Sequence, residues 1–376
     1  MRRMLAVFYA LTLLLPAAAV AQPPGTLISA DPMPDAPAGA QAWRIRYWTT
    51  DQDGQAHEVT GLVAAPREAA PARPRRVIAW AHGTTGVAEK CAPSAYPESF
   101  EATPALDSMI AAGYVVVAPD YPGLGSPTPH PYLVGRDTAH SVLDAVRAAR
   151  AIPGAAAGGQ FAVWGESQGG HAALWTAATA RSYAPDLVLA GTAAAAPPTD
   201  LAANMREGSD PNARAFLLAL TLHSWSQRFG YSLDGFTNAA TQGVIHRLAE
   251  NNCLELDKNP KLGTILGILS VRQAVKKRDV TRIEPFAATM HANGVDPASV
   301  AGPLLIAQGS KDTIVAPAVT RGFARAVCKR RMPVRWIEIP GGSHIDGARG
   351  DRAGETLAWI TARFDGKAPP DDCRRI

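Results

Sequence analysis

Short apolar runs alternate with stretches of helical period along most of the 376-residue chain. "WRIRYWTT" (43–50) and "QAHEVTGLVAAP" (55–66) flank the polar turn "DQDG" (51–54), which reads as an antiparallel hairpin. Beyond a Pro/Arg-rich connection come six short runs of buried-strand character: "RRVIAWAHG" (75–83), "YVVVAPD" (114–120), "FAVWG" (161–165), "LVLAGTAAA" (187–195), "PLLIAQG" (303–309) and "VRWIEI" (334–339). Helical stretches separate most of them, among them Asp137 to Ala151, Gln168 to Ala180 and Pro317 to Cys328. An antiparallel start followed by strand–helix alternation predicts an α/β protein with a mostly parallel sheet and helices on both faces.

The alternation stops between about Asp200 and Val300. "NARAFLLALTLHSWSQRFG" (212–230) and "NAATQGVIHRLAE" (238–250) carry helical periodicity with no convincing buried strand between them, so a helical lobe inserted between two strands is expected. Residues Ala30 to Ala40 are proline-rich and show no periodicity. The first residues, "MRRMLAVFYALTLLLPAAAVAQ", combine two arginines, a short apolar core and a small-x-small site, the pattern of a signal peptide cleaved after Ala21. Such a leader sends the chain to the periplasm or out of the cell. The expected organisation is thus a leader (1–21), a lead-in (22–42), a core in two parts (43–199 and 301–376) and the inserted lobe (200–300).

The formal charge of +4 contains Arg2 and Arg3 of the leader, whose removal leaves +2. That balance offers no electrostatic footprint for nucleic acid or for a membrane surface. The four cysteines, Cys91, Cys253, Cys328 and Cys373, have no Cys-x-x-Cys spacing. In an exported chain they predict two disulfides and no metal site, with three connectivities open.

"GESQGGHAAL" (165–174) follows a strand candidate and opens a helix candidate, so Ser167 falls on a strand-to-helix turn. Small residues at 165 and 169 let the backbone pass closely there, and the helix start leaves the Gln168 N–H free for an oxyanion. A serine hydroxyl is a weak nucleophile until a base takes its proton. Asp312 in "GSKDTIV" and His344 in "GGSHID" lie past later strand ends, in the order Ser, Asp, His. They are the expected acid and base, with Asp346 the competing acid. "AWAHGTTG" supplies a second oxyanion loop, with the Thr84 N–H preferred over Thr85. Tyr121 in "PDYPGLG" and Phe216 and Trp225 in the helical lobe are, with Thr85, the candidate substrate contacts, and Leu217, Leu220 and Phe229 of the same lobe are further candidates to line the acyl site.

Taken in order, "AHGTTG", "CAPS", "PDYPGLG", "GESQGG", "GSKDTIV" and "GGSH" resemble the secretory lipase family of α/β-hydrolases, over about Ala79 to Trp359. The resemblance implies an α/β-hydrolase fold with a cap over the serine. It also implies hydrolysis of carboxylic esters, lipid esters included, without metal or cofactor. Carried over by motif, it names Ser167, Asp312 and His344. Glu166 departs from the aromatic usual before the serine in fungal members. Location along the chain pairs Cys91 with Cys253 and Cys328 with Cys373, an arrangement the resemblance also implies. The expected partners are a small-molecule or lipid ester and transient contact with a lipid interface, with no obligate protein partner. An acyltransferase, a serine peptidase and a non-catalytic binding protein are the rival readings.

Overall fold

A computed structural model describes residues 22–97, 99–254, 260–276 and 278–376. The expected leader, 1–21, lies outside the described residues. In chain order the first elements are β1 (Leu27–Pro32), β2 (Ala40–Thr50), β3 (Ala56–Pro66), β4 (Arg75–Ala81), α1 (Leu106–Ala111), β5 (Val115–Pro119), α2 (Gly135–Arg150), β6 (Ala157–Glu166), α3 (Gln168–Tyr183) and β7 (Val188–Ala195). Among the described residues, five helices follow without a strand: α4 (Leu201–Glu207), α5 (Pro211–Phe229), α6 (Ala239–Asn251), α7 (Leu262–Val275) and α8 (Phe286–Ala292). Then come β8 (Leu304–Gly309), α9 (Pro317–Lys329), β9 (Val334–Ile339) and α10 (Asp351–Phe364).

The nine strands form one sheet in the order β1-β2-β3-β5-β4-β6-β7-β8-β9. β1, β2 and β3 are antiparallel to their neighbours, and every pairing from β5 to β9 is parallel. Both faces are buried, and successive side chains divide between them. On β4, Val77, Ala79 and Ala81 meet Val142, Leu143 and Ala172 of α2 and α3. Ile78 and Trp80 point the other way, toward Met109 of α1 and Ile360 of α10.

β1 corrects the expectation of a patternless segment from Ala30. It pairs only with β2, at the edge of the sheet, and its residues are half-buried to exposed. An edge strand needs no strict alternation and tolerates Pro32 at its end, which removes the signal that sequence periodicity depends on.

The inserted helices have their own core, in which Trp225 stacks parallel to Phe286 at 6.3 Å. Val87, Tyr132 and Val134, from loops of the sheet domain, join that cluster and seat the cap. Two disulfides, Cys91–Cys253 and Cys328–Cys373, close the chain. The first ties the cap to the loop after β4, and the second ties the C-terminal tail to α9.

Candidate active site

Ser167 sits between β6 and α3 with φ 55° and ψ −120°, a conformation costly for any residue with a Cβ. The surroundings enforce it. A Cβ on Gly165 would lie 2.0 Å from the Gly169 carbonyl oxygen, and one on Gly169 would lie 1.8 Å from that of Ala81. The strand, turn and helix therefore approach at distances only glycine permits, and the Ser167 N–H is held by the Ala195 carbonyl at 2.8 Å.

The neighbouring strand ends bring in the other two groups. Asp312 follows β8, where its Oδ1 accepts from the N–H groups of Ile314 (2.8 Å) and Val315 (2.9 Å). Its Oδ2 accepts from Gln308 Nε2 (3.0 Å) and from His344 Nδ1 (2.8 Å). His344 follows β9, in a loop packed so closely on Gly309 that a Cβ there would meet the Ser343 oxygen at 2.2 Å. Because a carboxylate only accepts, Nδ1 carries the proton. His344 Nε2, 2.8 Å from Ser167 Oγ, is left as the acceptor of the hydroxyl proton. Asp346 turns away, taking the N–H and hydroxyl of Ser343.

The loop after β4 runs beside the serine, since a Cβ on Gly83 would lie 3.8 Å from Ser167 Cβ. Thr84 comes next, its hydroxyl 2.9 Å from the Tyr132 hydroxyl. Across from it, Gln168 is the first residue of α3, where an N–H has no partner within the helix. The Gln168 side chain donates to His130 Nε2 at 3.1 Å, while His130 Nδ1 donates to the Pro122 carbonyl at 2.8 Å. Burial lowers the His130 pKa to about 4, so the ring is neutral and its Nε2 is free to accept. Glu166 is buried behind the elbow. Loss of solvent raises its pKa, and the Arg349 guanidinium, 3.4 Å away, and His344 partly offset that rise.

A cavity opens from Ser167 and Gln168 into the cap. Its walls include Tyr132, Leu201, Met205, Leu217, Thr221, Trp225, Met290, Ile314 and Val315. Of the residues expected to touch substrate, Trp225 and Leu217 line it, and Leu220 and Phe229 do not. Phe216, Tyr121 and Thr85 are absent from the walls among the described residues. On α5 the stripe Arg214, Leu217, Thr221 and Trp225 faces the cavity, and Phe216, a third of a turn away, is buried in the cap core. Tyr121 lies behind the loop after β4, its ring 4.4 Å from that of His82 and its hydroxyl donating to the His82 carbonyl at 3.0 Å. The Thr85 carbonyl accepts the Leu254 N–H at 2.8 Å, one residue past Cys253, so Thr85 joins loop to cap.

Tyr132 is a residue that no sequence motif marks, and it touches both the loop after β4 and the cap: Trp225 Nε1 donates to its carbonyl at 2.8 Å. Its one signal is an aromatic in "HPYLVG", a loop past a strand end at the catalytic edge. Thr221 was legible only as part of a helix, because nothing in the sequence says which face of α5 meets the serine.

A nine-stranded, mostly parallel sheet with a serine on a glycine-enforced elbow and a helical insertion over it defines an α/β-hydrolase. The chain belongs to the secretory lipase family, whose family model matches residues 101–372. It is 24% identical over 360 residues to Lipase 4 of Candida albicans, covering 89% of this chain and 75% of that one. The fold is that of the X-ray structure of Candida antarctica lipase A, with a TM-score of 0.75 at 20% identity over 94% of this chain and 84% of that one. The rice cell wall degrading esterase LipA from Xanthomonas oryzae shares the fold with a TM-score of 0.67 at 17% identity, covering 92% of this chain and all of its own. This protein is a secreted carboxylic-ester hydrolase of the lipase/esterase kind.

Proposed function

We propose that Ser167, His344 and Asp312 hydrolyse the ester through an acyl-enzyme, with the acyl chain lying in the cavity beneath α5. The 2.8 Å contact between Ser167 Oγ and His344 Nε2 carries this reading. His344 takes the hydroxyl proton as Oγ attacks the ester carbonyl, then gives it to the departing alkoxide. Asp312 fixes the histidine tautomer and stabilises the imidazolium. The N–H groups of Gln168 and Thr84 receive the oxyanion, and the Thr84–Tyr132 bond ties that loop to the one that seats the cap. Water, activated by the same histidine, then releases the acid. The largely apolar walls suit a hydrocarbon acyl chain better than a peptide side chain. Residues 1–21 serve as the cleaved leader.

A fluorophosphonate probe tests the nucleophile. Native protein should be labelled at Ser167 and Ser167→Ala should not, with turnover of p-nitrophenyl butyrate lost and the folded spectrum kept. Labelling that persists in the variant would place the nucleophile elsewhere.

A further inference from the structure

We propose that the cap docks onto an anionic lipid surface through α7 and the groove at that helix's C-terminal end. This deepens the ester-hydrolase reading and rests on it, because it names the surface from which the cavity is filled.

α7 is apolar on two sides. Ile268, Val271 and Val275 pack into the cap core, whereas Leu262 (72% exposed), Ile265, Leu266 (58% exposed) and Leu269 form a second stripe facing solvent. A helix that is apolar all round is normally covered all round, and a contiguous exposed stripe marks an interaction surface.

The surrounding charge selects the partner. Residues Leu262–Val275 contain no acid, and Lys261 and Lys276 stand exposed at the two ends. The last turn of α7 lines a groove together with α4 and α5. Five described residues of that groove are cationic, Arg206, Arg214, Arg272, Lys276 and Arg278, against one carboxylate, Asp279. Asp279 is already engaged by Arg282 at 3.3 Å. The four arginines bond only to neutral groups in the contacts described: Thr281 Oγ1, backbone carbonyls and Asn212 Oδ1.

An apolar stripe ending in a cationic groove fits an interface of acyl chains and phosphate headgroups. A protein partner would need acids to match the groove and apolar groups to match the stripe along one helix. Arg214 and Met205 line both this groove and the acyl cavity, so a headgroup held in the groove brings its acyl chains to the wall of the catalytic cavity.

The test uses the mature Ser167→Ala protein, so that lipid is not consumed, in flotation assays. Vesicles of phosphatidylcholine alone are compared with vesicles containing about a third phosphatidylglycerol. Partition should be on the order of tenfold or more higher on the anionic vesicles and should fall with added salt. Leu262→Gln with Leu266→Gln should abolish binding to both. Arg272→Gln with Lys276→Gln should remove only the preference for anionic lipid. In the otherwise native background, both pairs should keep turnover of soluble p-nitrophenyl acetate. Equal partition on the two vesicle types, or partition that neither pair alters, overturns the proposal. So does a dimer in light scattering that the leucine pair dissolves, since the stripe would then be covered by a second copy. If binding behaves as expected but Ser167→Ala retains ester turnover, the docking surface stands and the triad assignment fails.

Discussion

The catalytic edge of the sheet and the cap above it enclose one cavity, yet their geometry has different origins. At the edge, backbone contacts dictate position. Gly165, Gly169 and Gly309 sit where a Cβ would fall within 2.2 Å of a carbonyl oxygen, and Asp312 is fixed by four hydrogen bonds. In the cap, side chains of α4–α8 decide position by packing on one another, and α7 leaves a row of leucines and isoleucine in water. Function at the edge therefore depends on residue type and spacing, which a sequence records. In the cap it depends on which side of a helix meets which neighbour. The edge should respond to single atoms and the cap to changes of volume and tether.

The sharpest break is at the edge. Asp312→Asn keeps the shape but reverses the hydrogen-bond logic, since an amide NH2 facing His344 Nδ1 drives the proton to Nε2, where it cannot accept from Ser167. A fall in kcat on the order of 10^4 is expected, with KM and thermal stability little changed. Steady-state kinetics on a soluble ester measures it, and a loss of less than about tenfold would assign the orienting acid elsewhere.

Next in size is the tether between the two regions. Cys91 and Cys253 are 162 residues apart in sequence, so releasing that loop lowers stability by up to about 5 kcal/mol in the chain-entropy account. The bridge lies beside the Leu254–Thr85 backbone bond, and a Cβ on Gly86, two residues past Thr84, would lie 2.6 Å from Cys91 Sγ. Cys91→Ser with Cys253→Ser should thus lower kcat together with Tm, whereas Cys328→Ser with Cys373→Ser should lower Tm alone. Equal kcat in the two double variants would show that the cap does not hold the oxyanion loop.

The seam also contains two buried histidines. His130 accepts from Gln168 and, through its backbone carbonyl, from Ser224 of α5. His171 Nε2 meets the Asn293 carbonyl past α8 at 2.7 Å. Burial lowers both pKa values to about 4. The folded protein binds these protons less readily than the unfolded chain, so their contribution is complete above about pH 6.5 and is lost as pH falls toward 4. Each histidine represents about 3 kcal/mol over that window. Denaturant titrations should show a shallower loss of stability between pH 7 and 4.5 in His171→Gln than in the native protein. Parallel pH curves would mean that His171 is not neutral in the fold.

Most of the sheet was legible because its strands are buried on both faces and read as short apolar runs. The register of Asp312 and His344 at strand ends followed from the same runs. β1 was not legible, since an edge strand carries no full alternation. α7 escaped for a related reason: "LGTILGILSVRQAV" is apolar on every side, so periodicity does not mark it as a cap helix. Ser167, Asp312 and His344, which the structure brings within hydrogen-bond distance of one another, could be named because each of their expected roles admits few residue types. The cavity-lining residues of α5 could be named only in bulk, because many apolar side chains serve equally well and only the rotation of α5 separates Leu217 from Phe216.

That rotation supplies the smallest effect and the most direct comparison within the cap. Leu217 lines the cavity and its neighbour Phe216 is buried in the cap core, away from the cavity lining. Leu217→Trp adds volume where the acyl chain would lie. The ratio of palmitate to acetate p-nitrophenyl ester turnover should drop on the order of tenfold, the scale at which a pocket rejects a few extra carbons. Phe216→Leu removes packing instead, costing about 1 to 2 kcal/mol of stability while leaving that ratio unchanged. If the two variants shift chain-length preference alike, α5 acts on the site through the packing of the whole cap. If neither does, the acyl chain leaves the serine by a route other than the cavity beneath α5.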